Sequence, residues 1–357
     1  MTAALACVGA VYALYLALTG AGAARLELRR TKRRSSAPGS LPSATVVVPA
    51  RNEGRNIVRC IQSLKAQTVA VEIVVVDDGS EDDTRAAAEK CGVRVISAQG
   101  TGKKAALTAG IAVASGDVVL ATDADSFAGP TWAEALLRRF DDKTTFVAGP
   151  VRMETGGTVF GAFQALESAG LMGLAGGGFA VGFPHLANGA NLAFRRSAFE
   201  AVGGYGSDPA ASGDDMFLVE KLRKIGKGRY AWDADAVVFT PACATWTEFW
   251  NQRLRWAGKN RRYQSPVMAT VQTSALAYVI LLLASALAGE THTALWAWAA
   301  KSALEVLPLI PAARLLGRTK LLPLYPVIQL YYPLYVAVFG TAALIAPKYR
   351  WKGRLAR

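Results

Sequence analysis

Residues 44–57 read ATVVVPARNEGRNI, and the order of side chains within them decides the fold. A β-branched run at 46–48 ends at Pro49, a polar loop of Arg51, Asn52 and Glu53 follows, and Ile57, Ile61 and Leu64 recur at helical spacing over residues 56–67. This is a buried strand, a polar loop and an amphipathic helix. Residues 71–84, VEIVVVDDGSEDDT, repeat the scheme with a strand at 71–76, a loop carrying Asp77 and Asp78, and a helix that begins near Asp82. VRVIS at 93–97 is a third strand, KKAALTAGIAVA at 103–114 a helix, DVVLATDADS at 117–126 a fourth strand, and residues 130–140 a further helix. Strand and helix alternate four times within residues 44–140. The pattern predicts a doubly wound α/β sheet, parallel over these strands, with its ligand site at the carboxyl ends of the strands.

Polar residues fall at those ends. No Gly-x-Gly-x-x-Gly or Walker sequence follows any strand, so a dinucleotide or P-loop site lacks its phosphate cradle. Asp123 and Asp125 stand two apart in TDADS, so on an extended strand end both face one way. Two hard carboxylates suit Mg2+ or Mn2+, ions that commonly bridge a protein to a diphosphate. An acidic turn facing water is the plainer alternative. In SGDDMFLVEKLRKIG, Asp214 and Asp215 open a helix; capping explains one carboxylate, and the second is placed to act as a general base. Lys103 and Lys104 in GTGKKAAL either touch a phosphate or begin a solvated helix. NGANLAFR at 188–195 combines Gly with Asn and Arg donors, or is simply a strand leading into VGGYG.

Outside this region the chain turns apolar. The 357 residues are 52% apolar, with a formal net charge of +13. Residues 3–24 and 267–288 are uncharged runs long enough to cross a bilayer core, and 321–346 is a third, interrupted by Pro323, Pro326 and Pro333. Residues 294–316 are apolar but carry Lys301, Glu305 and Arg314, which favours a re-entrant or interfacial segment. Basic residues gather beside these runs: Arg25, Arg29, Arg30, Lys32, Arg33 and Arg34; five at 253–262; and five in the tail. Residues 35–245 hold 20 Lys+Arg against 23 Asp+Glu, a net of −3. Basic excess at the apolar segments marks a cytoplasmic membrane face with anionic lipid headgroups and excludes a nucleic-acid-binding domain. Cys7, Cys60, Cys91 and Cys243 have no paired spacing and are expected as reduced, buried thiols, and two histidines, His185 and His292, exclude a His-rich zinc site.

Taken together, VVVPARNE, VVVDDGS, GKKAALTAG, DADS, GDD and QRLRW resemble, in order, the motifs of membrane-associated family 2 glycosyltransferases of GT-A fold. The resemblance spans about residues 44–266; GDD stands where T/G-E-D is more frequent, and QRLRW fits Q-x-x-R-W. It implies a Rossmann-like, doubly wound mixed sheet in a cytosolic domain between amino- and carboxyl-terminal transmembrane helices. The expected divisions are 1–34 (span and basic segment), 35–245 (catalytic domain), 246–266 (interfacial helix), 267–346 (spanning or re-entrant segments) and 347–357 (basic cytosolic tail). It further implies that Glu53, Asp77 and Asp78 hold the uracil and ribose of a UDP-sugar, with Pro49, Arg51 and Lys103 on the donor side. Asp123 and Asp125 would bind the sugar diphosphate and its Mg2+ or Mn2+, and Asp215, with Asp214 beside it, would supply the base. Gln252, Arg255 and Trp256 would close the donor site, and Trp256, Asn191 and His185 would face the acceptor.

The small size and few apolar segments favour lipid-directed members of the ceramide glucosyltransferase type over a polysaccharide synthase, which needs a channel for its product. A silent membrane scaffold has no use for both carboxylate sets, and a nucleotidyltransferase has none for Q-x-x-R-W. Residues 158–191, charged only at Glu167, form either a helix and loop inside the domain or an apolar approach to the bilayer.

Overall fold

A computed structural model describes residues 2–32, 40–206, 214–259, 265–345, 349–351 and 354–356, with backbone alone at 31, 32, 214, 259, 343, 349–351 and 354–356. Arg33, Arg34, Arg261, Arg262, Lys348, Lys352, Arg357 and most of the expected joint at 35–43 lie outside the described residues.

In chain order the elements are α1 (Thr2–Lys32), β1 (Ala44–Ala50), α2 (Ile57–Lys65), β2 (Glu72–Asp77), α3 (Thr84–Lys90), β3 (Arg94–Ser97), α4 (Lys103–Ala112), β4 (Val118–Ala121), β5 (Phe127–Ala128), α5 (Trp132–Leu137), β6 (Thr144–Ala148) and β7 (Val151–Glu154). There follow α6 (Val159–Ala180), β8 (Leu192–Arg195), α7 (Arg196–Ala201), α8 (Asp214–Leu222), β9 (Lys227–Tyr230), β10 (Val238–Pro241), α9 (Trp246–Lys259), α10 (Pro266–Leu287), α11 (Thr291–Leu315), α12 (Tyr325–Ile345), β11 (Tyr349–Trp351) and β12 (Arg354–Ala356). They divide into a sheet unit, Leu26–Glu154 with Gly182–Ala242, and a helical unit, Met1–Arg25 with Thr155–Val181 and Cys243–Arg357.

The sheet unit is built on seven strands in the order β3-β2-β1-β4-β8-β6-β9. The first four strands of the chain run parallel to one another, as the βα repeats predict. β8 then runs antiparallel to both β4 and β6, and β9 is parallel to β6, so the sheet is mixed. β1 lies inside it between β2 and β4, which is why residues 46–48 are apolar without alternation: all three valines are fully buried because helices cover both faces. Ile57, Cys60, Ile61 and Leu64 of α2 and Trp132 of α5 fill the core against it. β5, β10 and β7 form a small second sheet. Beyond Arg25, α1 is fastened by Glu27, which accepts from Trp232 Nε1 at 2.9 Å and pairs with Arg30 at 2.6 Å.

The helical unit explains the composition of residues 158–180. α6 belongs to this unit and is not packed inside the sheet domain. Thr158 caps it by accepting from Gly161 N at 2.9 Å. Its small residues let backbones touch: a Cβ on Gly177 would lie 1.9 Å from the Thr19 carbonyl oxygen of α1. α11 is one 25-residue helix that continues through Pro308 and Pro311. Two of its charges, Lys301 and Glu305, pair inside the unit, while Arg314 is exposed. Lys301 is buried and reaches Glu305 at 2.8 Å and Gln329 at 3.0 Å, while Tyr12 donates to Glu305 at 2.6 Å. Among the described residues, three helical segments, Thr2–Arg30, Pro266–Leu287 and Thr319–Ala342, are long and apolar enough to cross a membrane. Of the cysteines, Cys60 is buried, Cys91 and Cys243 are partly so, and Cys7 is exposed, so the expectation that all are buried fails at Cys7.

Candidate active site

The loops after β1 and β2 lock together at the carboxyl edge of the sheet. Asn52 is, among the described residues, the only one other than glycine in the left-handed region, at φ 51°. Two hydrogen bonds hold it there: its N–H donates to Ser80 Oγ at 3.0 Å, and its Oδ1 accepts from Glu81 N at 2.9 Å. The buried Arg51 donates to the Asp78 carbonyl oxygen at 2.8 Å and pairs with Glu81 at 3.3 Å. Glu53, also buried, accepts from Asn56 at 2.7 Å, and its N–H donates to Thr84 Oγ1 at 2.7 Å. Asp77 folds its own loop by accepting from the Ser80 hydroxyl at 2.5 Å and the Ser80 N–H at 3.1 Å. Pro49, with no N–H, stands opposite Val76 in the β1–β2 ladder.

Asp78 reaches onward. Both of its oxygens accept from Gly102 N, at 2.9 and 3.0 Å, which fixes the start of α4. The next residue, Lys103, makes an ion pair with Asp123 at 2.5 Å. Asp125, two residues on, accepts from Ser126 Oγ at 3.2 Å. Behind this edge Cys60 Sγ donates to the Asp123 carbonyl oxygen at 3.7 Å. Burial, and then the charges of Asp125, Asp123 and Glu53, push its thiol far above the ordinary range, so three carboxylates from two strand ends act on one point.

Asp215 completes the cluster from the first turn of α8. It is buried, and it accepts from Gly189 N at 3.1 Å and Met216 N at 2.8 Å. Gly189 is the meeting point: a Cβ there would stand 3.1 Å from Lys103 Nζ and 3.4 Å from Asp215 Cβ, so a larger residue would need the lysine tip to shift by a few tenths of an ångström. The side chain of Asp214 lies outside the described residues.

Two expected acceptor contacts are seated differently. Asn191 is fully buried, with Oδ1 accepting from Trp132 Nε1 at 3.0 Å and Nδ2 donating to the Pro150 and Ala236 carbonyls at 2.8 Å each. Every polar atom of its amide is engaged inside the unit, which makes it a structural pin. His185 is buried against Phe183, whose carbonyl lies 2.7 Å from its Nδ1. Burial lowers its pKa to about 4, with the Arg223 charge adding to the effect against the Phe183 hydrogen bond, so the ring is neutral at pH 7.

Gln252, Arg255 and Trp256 belong to the helical unit, on α9. Spaced i, i+3 and i+4, they share one helix face. Sequence reasoning passed over two neighbours of these sites. Gly189 sits in NGAN, where only its contacts reveal its role, and Arg253 occupies a variable place in Q-x-x-R-W.

Known proteins agree with this architecture. Residues 45–203 match the protein family Glycosyl transferase family 2. The probable glycosyltransferase YdaM of Bacillus subtilis is 30% identical over 237 residues, covering 62% of this chain and 56% of that protein. The pre-mycofactocin glycosyltransferase of Mycobacterium tuberculosis is 31% identical over 53% of this chain and 41% of its own length. The poly-beta-1,6-N-acetyl-D-glucosamine synthase of Staphylococcus aureus is 26% identical over 68% of this chain and 60% of its own. The chain thus spans between 41% and 60% of the length of these curated relatives. A mannosyltransferase from Pyrobaculum calidifontis, solved with GDP-Man and Mn2+, has the same fold with a TM-score of 0.56 at 21% identity, over 92% of this chain and 99% of that one. The match over residues 45–203 covers the strand ends that carry Asp77, Asp78, Asp123 and Asp125, within a mixed GT-A-like sheet.

Proposed function

We propose that this chain transfers one sugar, with inversion, from a nucleotide-sugar donor, a UDP-sugar, to a hydroxyl of a membrane lipid. The observation that carries it is the linked set Asp78, Gly102, Lys103 and Asp123, which meets Asp215 at Gly189. Glu53, Asp77 and Asp78 are suited to the base and ribose, with Pro49 and Arg51 shaping that edge. Lys103, paired with Asp123, places a cation beside the carboxylates where an anionic diphosphate would lie. Asp123 and Asp125 fit Mg2+ or Mn2+, since they are hard oxygen donors on one strand end and such ions take their remaining oxygens from phosphate and water. Once bound, the ion would neutralise charge developing on the departing diphosphate.

Asp215 is the base in this scheme. Its two hydrogen bonds from backbone N–H groups orient the carboxylate, which takes the proton of the acceptor hydroxyl as the oxygen attacks the anomeric carbon and the bond to the diphosphate breaks. Arg255 would pair with the diphosphate, while Gln252 and Trp256 would border the donor and acceptor.

The lipid acceptor is supported by the helical unit. A small pocket there is walled by Leu16, Leu166, Leu171, Leu309 and Ile328, with Tyr12 and Glu305 at its polar side. The three apolar helices would cross the membrane, with the basic segments at residues 25–34 and 253–262 against anionic lipid on the cytoplasmic face. Three crossings return the basic tail to that face as well. Polymer synthesis is the second reading, supported by the likeness to the staphylococcal synthase.

Purified chain with Mn2+, polar lipid extract and UDP-glucose, UDP-galactose, UDP-N-acetylglucosamine or GDP-mannose in turn tests the proposal. Mass spectrometry is expected to find a lipid heavier by one sugar. A ladder of sugars supports the polymer reading, and no nucleotide release with any donor contradicts both.

A further inference from the structure

Arg253 lies within the Q-x-x-R-W spacing without being one of its named side chains, and it is among the most buried charges of the helical unit, at 3% exposed. Its Nε donates to Glu167 Oε2 at 3.1 Å and Tyr335 Oη at 3.0 Å, and its Nη2 makes a second bond to the same Glu167 oxygen. Tyr335 Oη donates in turn to Glu167 Oε1 at 2.5 Å. Residues from α6 and α12 thereby hold one guanidinium on α9. A planar fork pinned along one edge has no rotational freedom left. Its free edge and its faces are then committed: Nη1 donates to Gln252 Oε1, and the guanidinium carbon lies 4.4 Å from the Trp256 ring centroid and 4.3 Å from that of Phe249.

A buried ion pair is weak evidence for stability, because desolvating two charges offsets most of their attraction. Here the pair has a second consequence, since it holds the one group that touches two of the three motif side chains. We propose that Arg253, held by Glu167 and Tyr335, is a positioning residue for sugar transfer that sets the orientations of Gln252 and Trp256. This rests on the assignment of those two side chains to the donor and acceptor sites. A lysine at 253 keeps the charge but has neither the fork nor the stacking face.

The test uses the full chain, the most active donor of the four named above, Mn2+ and polar lipid extract, with kcat, KM for each substrate and Tm measured on the same samples. Tyr335→Phe removes one hydroxyl and is expected to lower kcat/KM for the lipid about tenfold, with donor KM within about twofold and Tm within about 2 °C of wild type. Arg253→Lys is expected to lose about 100-fold, and adding Tyr335→Phe to it to cost nothing more, because the hydroxyl acts through the guanidinium. Unchanged kinetics in Tyr335→Phe, activity that falls only in step with Tm, or multiplying losses in the double variant would overturn the positioning role while leaving the transferase reading intact. A wild-type chain that transfers no sugar from any donor overturns both.

Discussion

Replacing Asn191 by alanine should unfold the sheet unit far more easily than its small volume change implies. Three buried partners would be orphaned at once: Trp132 Nε1 and the carbonyls of Pro150 and Ala236. Each orphan costs about 1–3 kcal/mol, and partial relaxation brings the total to about 3–5 kcal/mol. For a unit of this size Tm moves about 2–4 °C per kcal/mol, so the expected fall is on the order of 10 °C. The assay is intrinsic tryptophan fluorescence during a thermal ramp of the detergent-solubilised full chain. Arg85→Ala is the control, since it removes the exposed Arg85–Glu89 pair at 2.9 Å and an exposed hydrogen bond to Ser97 Oγ at 3.0 Å, and should shift Tm by no more than about 2 °C. The folded Asn191→Ala variant should keep the wild-type KM for its acceptor. A Tm within about 2 °C of wild type would refute the pin, and an intact Tm with a raised acceptor KM would restore Asn191 to the acceptor site.

Three other outcomes are expected. His185 is neutral and buried with its pKa lowered from 6.5 to about 4, so the unfolded chain binds more protons between those values; stability is full above about pH 6.5 and declines as pH falls toward 4. His185→Gln should flatten that part of a plot of Tm against pH, and an unchanged slope would show that the ring titrates normally. Lys103→Met leaves Asp123 without its 2.5 Å partner and should weaken UDP binding in the presence of Mn2+ by about tenfold in calorimetry, whereas unaltered affinity would remove Lys103 from the donor site. Trp250, half-exposed and 4.8 Å from Phe339, and Trp256, under Arg253, should separate. Trp250→Ala should reduce flotation with anionic vesicles and keep transfer, Trp256→Ala should do the reverse, and a shared loss would show that α9 acts only as a scaffold.

The amino-terminal half of the sheet was legible because each strand, loop and helix announced itself locally: the valines at 46–48, the acidic loop at 77–78 and the apolar spacing of α2 all report a covered parallel strand. β8 was not legible in the same way. Leu192–Arg195 is four residues long, and its antiparallel place between β4 and β6 depends on partners far away in the chain. α6 illustrates the same limit, since an apolar helix rich in glycine is equally consistent with a domain core and with a helical bundle, and only Gly177 against Thr19 decides between them. In the site, the carboxylates Asp78, Asp123 and Asp215 could be picked out by motif because strand ends and helix starts are visible in sequence. The contacts between them could not, since they pass through Gly102, Lys103 and Gly189. The structural part of Asn191 was hidden for a related reason: a polar side chain in a Gly-rich stretch does not announce its three partners, Trp132, Pro150 and Ala236.

Asp215→Asn tests the central claim most directly, because the change preserves size and removes the proton acceptor. Nucleotide release and glycolipid formation should fall about 10³-fold in kcat, while UDP with Mn2+ still raises Tm as in wild type. Wild-type turnover by Asp215→Asn would contradict the account.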